Sequence, residues 1–220
     1  MHVYGLTGGI GSGKSTVAAI LEEYGIPVVS ADELSRMVVT PGSPGLAAVV
    51  ALFGDEILDA QGHLDRSKLG AIVFADPEQR VALERLLHPR IRERFEEVLD
   101  ALEKAGHTKV VYEVPLLFEN KLEEMMDGVI VVTTRDDLRI ARVGARDGLD
   151  AAAIRARMAA QLDDKTRQKL ADYVITNNGD AMDLRREVEI MLSDYLKVPI
   201  PGRSGPHRRA GPPPPPRQSS

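Results

Sequence analysis

Five short apolar runs, rich in β-branched residues, punctuate the chain: His2–Thr7, Pro27–Ser30, Lys109–Val114, Gly128–Thr133 and Tyr173–Thr176. Each reads as a strand covered on both faces, as in a parallel sheet. Helical periodicity fills most of the intervals, so the class is α/β. The first two runs are separated by one helix, about Lys14 to Tyr24, closed by Gly25 and Pro27. The second and third lie roughly 80 residues apart, where a simple crossover needs about a dozen. Residues 33–106 therefore form an insertion with helices of its own, punctuated at Pro41-Gly42, Asp76-Pro77 and His88-Pro89. A second excursion, 135–168, has little β character and reads as two helices joined near Gly148. A last helix, about Ala181 to Leu196, returns to the sheet. No internal repeat is visible.

A chain of 220 residues with 43% hydrophobic and 28% charged residues can bury one sizeable core, with or without an inserted subdomain. The absence of Cys excludes disulfides, zinc–thiolate sites and thiol nucleophiles. With no Trp and 4% aromatics, base-stacking platforms are scarce. No apolar run approaches the roughly 18 residues that span a bilayer, and the start lacks the shape of a signal peptide. The expectation is a cytoplasmic protein with no membrane partner. Net charge is −5, unevenly placed. Four basic residues, Arg203, Arg208, Arg209 and Arg217, sit in the last 20, leaving 24 basic against 33 acidic residues elsewhere. An acidic body argues against a nucleic-acid partner. The tail, 199–220, is Pro- and Arg-rich and reads as disordered, with a polyproline II stretch at Pro212–Pro216. That stretch would suit a Pro-recognising partner; the plainer reading is a solvated tail.

The chemistry enters at the first strand–helix junction. Gly8-Gly9-Ile10-Gly11-Ser12-Gly13-Lys14-Ser15 fits G-x-x-x-x-G-K-[ST], with a strand before it and a helix after. Gly9, Gly11, Ser12 and Gly13 let the backbone amides turn inward around anionic oxygens, with those of Lys14, Ser15 and Thr16 following in the first helical turn. Lys14 supplies a point charge to the β and γ phosphates of ATP, and the Ser15 hydroxyl is placed to ligate Mg²⁺.

Other candidates are less sharp. Asp32 follows the second strand, at the sheet end where ligands bind. Position alone leaves it either a base or metal-side carboxylate, or a helix N-cap. Glu113 ends the third strand as a Walker B acid would, or is a solvated rim residue. Arg135, Arg139, Arg142 and Arg146 step by four, three and four, which lines them on one helical face. Such a face is either solvated or a clamp, since guanidinium matches phosphate oxygens bidentately. In His88-Pro89, Pro89 suits a helix N1 position and His88 is either structural or substrate-facing.

Several nucleotide-binding classes compete. Asn177-Asn178-Gly179-Asp180 lacks the Lys of a guanine-reading motif, and Asp59-Ala60-Gln61-Gly62 lies in the insertion rather than at a strand end. No signature of a motor or transporter ATPase is seen. A small-molecule kinase predicts a core, an acceptor-binding insertion and an arginine lid, and all three are present.

The ordered motifs resemble the dephospho-coenzyme A kinase family over about residues 2–196. They are Gly5 through Ser15; Ala31-Asp32 with Arg36; Val38 through Gly42; Phe53-Gly54; Gly62 through Arg66; Val73-Phe74; and His88 through Ile91. Pro115-Leu116-Leu117-Phe118-Glu119, Arg142 through Arg146, Gln161, and Ala171-Asp172 ahead of Asn177 follow. The resemblance implies a P-loop NTPase-like three-layer sandwich with a five-stranded parallel sheet. Its core would be 1–32, 107–134 and 169–198, with an inserted helical acceptor domain at 33–106 and a helical lid at 135–168. It also implies phosphorylation of the ribose 3′-hydroxyl of dephospho-coenzyme A by ATP with Mg²⁺. Another nucleoside or nucleotide kinase, or a non-catalytic ATPase-like module, is the alternative. On this resemblance Asp32 becomes the base or hydroxyl-orienting group and Arg142 a phosphate clamp, with Arg139 and Arg146 as partners. Asn177 joins the ATP site, and Arg36, His88, Pro115 and Leu116 the acceptor side. Two positions depart from the family pattern. Ser30 stands where an acid is common, and Glu113 where Asp is common.

Overall fold

A computed structural model describes residues 1–200. The Pro/Arg tail from 201 onward, and the partner expected for it, lie outside the described residues. Five strands, β1 (His2–Thr7), β2 (Val28–Ser30), β3 (Lys109–Glu113), β4 (Gly128–Thr133) and β5 (Tyr173–Thr176), form one sheet in the order β2-β3-β1-β4-β5. The pairings of β1 with β3 and β4, and of β4 with β5, are parallel. The apolar runs thus sit where their composition predicts. In β4 every residue but Thr133 is buried, which requires cover on both faces.

The chain divides into two compact units, Met1–Val28 with the chain from Thr108 onward, and Val29–His107. In the first, α1 (Lys14–Glu23) and α9 (Ala181–Asp194) pack together on one face of the sheet. Val17, Leu21, Val188 and Met191 meet Leu6, Ile130, Val132 and Ile175 there, all at most 1% exposed. On the other face Gly5 lets Leu117, Met126 and Val129 close in, where a Cβ would collide with Leu117.

The excursion after β4 holds three helices where two were expected: α6 (Asp136–Asp147), α7 (Ala151–Ala159) and α8 (Asp164–Leu170). Gly148 ends α6 in the left-handed conformation, φ 67°, as its position suggested. The extra break comes at Gln161–Asp163. There the Asp163 side chain caps α8 by accepting from the Thr166 amide at 2.9 Å.

The second unit has its own small core. It holds α2 (Ala31–Met37), α3 (Pro44–Phe53), α4 (Arg66–Ala75) and α5 (Pro77–Lys104), which bury Val39, Leu46, Val49, Ile57 and Leu69. Gly45 lets the start of α3 touch the Val38 carbonyl, which a Cβ would strike. Pro89 does not begin a helix. It lies inside the 28-residue α5. Proline removes the amide that would bond the carbonyl four residues back, and the Arg90 guanidinium donates to the adjacent Leu86 carbonyl at 2.6 Å. Leu86 and Leu87 pack on this unit's core, so tertiary packing holds the helix through the proline.

Candidate active site

The β1–α1 loop is shaped by its glycines. Gly11 (φ 74°) and Gly13 (φ 95°) are left-handed, a region costly to other residues. A Cβ on Gly11 would lie 2.8 Å from Val143 Cγ2 of α6, and one on Gly13 would strike the Asn177 amide. The loop therefore packs against its supports with no room for a side chain at Gly11 or Gly13. Ser12 holds it from beneath. Its carbonyl accepts from Asn177 Nδ2 at 2.8 Å and from Thr134 Oγ1 at 2.9 Å. Asn177 follows β5 and Thr134 follows β4, so two strand ends brace one loop.

The start of α1 is unusual within the molecule. The Gly13 cap offers no side chain, and the first turn has no acid. Every other α-helix among the described residues has a side-chain cap or an acid there. Orphan amides at a positive helix end are left for an external anion. The Lys14 ammonium lies within the loop, 2.9 Å from the Gly8 carbonyl and 3.3 Å from that of Gly9. Ser15 and Thr16 are exposed on the same first turn.

The four arginines at the start of α6 and along it are not equivalent. Arg135 immediately precedes α6 and pairs with Asp137, and Arg146 pairs with Asp147 at 2.6 and 2.9 Å. The hydrogen bonds from these guanidinium groups hold the Asp137 and Asp147 carboxyls below their usual range. Arg142 is half-buried; its Nη2 lies 3.3 Å from the Asn177 carbonyl and 3.4 Å from Asn177 Oδ1. Arg139 is buried, and its Nε donates to the Ile10 carbonyl at 2.9 Å. Two of the four thus turn to the phosphate loop and its brace, and two are engaged by neighbouring aspartates.

Pro115 and Leu116 follow β3. The Pro115 carbonyl accepts from Thr7 Oγ1 at 3.3 Å, and Leu116 is exposed. Glu113 is half-buried at the end of β3, in register with Leu6 two residues before the loop. Asp32, Arg36 and His88 belong to the second unit and are exposed there. Asp32 is not the helix cap. Ser30 takes that role, its hydroxyl accepting from the Glu33 amide at 3.4 Å, and Asp32 is the second residue of α2. Asp59 forms a local turn, accepting from the amides of Gln61 and His63 at 2.9 and 2.8 Å.

Among the described residues, no group of three or more His, Asp or Glu could enclose a metal. The first unit instead offers the Ser15 hydroxyl and the Glu113 carboxylate. Mg²⁺ keeps several waters and takes one or two protein groups together with substrate phosphates. This sparse donor set suits Mg²⁺ carried with a nucleotide.

The family model described as dephospho-CoA kinase matches residues 2–183. The chain belongs to the dephospho-CoA kinase family. A dephospho-CoA kinase of Syntrophotalea carbinolica is 43% identical over 210 residues, covering 96% of this chain and 98% of the relative. One from Thermobifida fusca is 47% identical over 184 residues, 84% and 91% of the two chains. Among solved structures, TT1252 from Thermus thermophilus superposes with a TM-score of 0.78 at 37% identity, over 88% of this chain and 97% of that one. Dephospho-CoA kinase from Campylobacter jejuni gives 0.67 at 30% identity, over 89% and 97%. The matches make this a P-loop kinase, a transferase with an alcohol as acceptor. No helix among the described residues is long and apolar enough to cross a membrane.

Asn177 and Arg139, which brace the kinase loop, stand out in the sequence, but other bracing residues do not. Thr134, Asp164 and Arg167 carry no motif. Gln161 and Glu119 appear only within family motifs, with no role attached. A charged residue one turn from others reads as solvated, and nothing in the local pattern marks Arg139 and Arg167 as 4% and 1% exposed.

Proposed function

We propose that the protein transfers the γ-phosphoryl group of ATP to the ribose 3′-hydroxyl of dephospho-CoA, giving CoA and ADP. The observation that carries the reading is the start of α1. An uncapped, acid-free helix end with a lysine folded into its glycine loop is built for a polyphosphate, in a chain of this kinase family.

In this reading the Lys14 ammonium and amides of the loop and first turn of α1, other than that of Ile10, which Gln161 engages, hold the β and γ phosphates. Ser15 and Glu113 are the residues that would hold Mg²⁺, which would supply charge neutralisation on those phosphates. Arg142 and Asn177 complete the nucleotide side, and Arg146 joins Arg142 on the phosphates after leaving Asp147. Residues 135–168 act as the lid, and 33–106 bind the acceptor through Arg36 and His88, with Pro115 and Leu116 contributed by the core. Asp32 orients the 3′-hydroxyl and takes its proton as the oxygen attacks. The bond from the γ phosphorus to the β–γ bridging oxygen breaks, and ADP leaves. Positioning and charge neutralisation supply most of the rate enhancement.

The test is ADP release, followed by a coupled reaction, with dephospho-CoA, adenosine, AMP and shikimate offered separately. Turnover should be strongly selective for dephospho-CoA. Equal turnover of another acceptor, or release of ADP at the same rate without any acceptor, would contradict the assignment.

A further inference from the structure

Ile10, in the middle of the phosphate loop, is held on both of its backbone groups by residues from the segment after β4. Its amide donates to Gln161 Oε1 at 2.9 Å, and its carbonyl accepts from Arg139 Nε at 2.9 Å. The Arg139 side chain is 5% exposed, and its Nη2 occupies the space that a side chain on Gly9 would need. This guanidinium is anchored in turn. Its Nη1 lies 2.8 Å from Asp164 Oδ2 and 3.3 Å from Asp136 Oδ1. The other Asp164 oxygen accepts from Arg167 Nη1 at 2.6 Å.

Arg167 continues this chain of charges beyond Asp164. Its side chain is 1% exposed, and its Nη2 stands 3.6 Å from Glu119 Oε1, an oxygen that also accepts from the Leu162 amide at 3.0 Å. Among the described residues, its Nε and Nη2 find no hydrogen-bond partner. A buried guanidinium so incompletely satisfied is poor value as a stabiliser, because an apolar side chain of similar volume would avoid the desolvation cost. Its position makes sense as a counter-charge. Two cations and two anions alternate from Arg139 through Asp164 and Arg167 to Glu119, and the chain ends on the loop that faces the phosphates.

We propose that Asp164 is a positioning residue for nucleotide binding: it fixes the Arg139 guanidinium against Ile10, and Arg167 fixes Asp164. With Ile10 gripped by Arg139 and Gln161, the loop keeps its open, amide-lined shape before any phosphate arrives. Pre-organisation of this kind improves binding by removing the cost of ordering the loop. The effect is confined to the nucleotide, because every partner in the relay belongs to the unit that contains the loop. The proposal rests on the nucleotide role assigned above to that loop.

The test is calorimetric titration of the full chain with Mg·ADP, joined to steady-state kinetics in both substrates. Asp164→Asn should weaken ADP about tenfold and raise KM for ATP alike, with KM for dephospho-CoA within about twofold of wild type. In an Arg139→Ala background the same change should add less than about twofold, because the two residues act as one unit. Should Asp164→Asn not fold, for want of a charge opposite Arg167, the double variant D164N/R167M removes both charges and should show the same loss for ADP. ADP affinity within twofold of wild type in either folded variant would overturn the proposal. So would a full, additive loss on the Arg139→Ala background, or equal losses for both substrates. A wild-type chain that binds no Mg·ADP would instead overturn the nucleotide reading beneath it.

Discussion

Replacing Gly13 by alanine tests how tightly the phosphate loop is fitted to its brace. Two separate costs follow from the structure. Gly13 sits at φ 95°, where an L-residue pays roughly 1–2 kcal/mol. Its new Cβ would also strike the Asn177 amide and push it off the Ser12 carbonyl, which Asn177 now reaches at 2.8 Å. Losing that buried hydrogen bond adds about 1 kcal/mol. Gly25 supplies the internal control. It has φ 75°, lies in the same unit, and its Cβ would meet nothing within 4 Å. Gly25→Ala should therefore carry the conformational cost alone. At about 2–4 °C per kcal/mol for a chain of this size, Gly13→Ala should melt about 2–4 °C below Gly25→Ala. Asn177→Ala should abolish the difference, since the collision partner is gone. Calorimetric melting of the four variants without nucleotide measures all of this. Equal melting of the two glycine variants would refute the claim that the loop and Asn177 are in direct contact.

Other expectations follow from single side chains. Lys14→Ala and Arg142→Ala should each reduce kcat/KM by about a hundredfold or more, at unchanged far-UV circular dichroism. Pro89→Ala should raise the melting temperature by a few degrees, because α5 then recovers an amide and loses a ring clash worth up to about 3 kcal/mol; a fall in melting temperature would mean that the proline ring itself is needed for packing. The Asp147 carboxyl is held below its usual range by Arg146, so the stability it contributes is present above the ordinary carboxylate pKa and disappears as pH falls through its folded value. Wild type and Asp147→Asn should therefore differ in melting at pH 7 and converge in strong acid. If Asp32→Asn kept near-wild-type turnover, its assignment as the proton acceptor would be wrong.

The sheet was legible because buried parallel strands have a signal of their own. Gly128–Thr133 is β-branched at every position after its glycine, and Lys109–Glu113 carries a short Val110-Val111-Tyr112 apolar centre between charged ends. The phosphate loop was legible because its glycines, Lys14 and Ser15 are each required by backbone geometry or charge. What escaped notice depended on tertiary packing. Pro89 reads as a helix start because proline is favoured at the first turn of a helix; only the packing of Leu86 and Leu87 carries α5 through it. The break before α8 hides because Asp163 and Asp164 are adjacent, and nothing local says that one caps the helix while the other turns inward to two arginines. Arg139 and Arg146 look alike in sequence, spaced on one helical face. Burial separates them, and burial is set by the loop that Arg139 touches.

Transfer of a phosphoryl group to one particular hydroxyl can be followed by phosphorus NMR of the product formed from ATP and dephospho-CoA. One new phosphomonoester signal, coupled to the ribose H3′, should grow in step with ADP. A phosphoryl group coupled to another ribose position, or inorganic phosphate with unchanged acceptor, would contradict it.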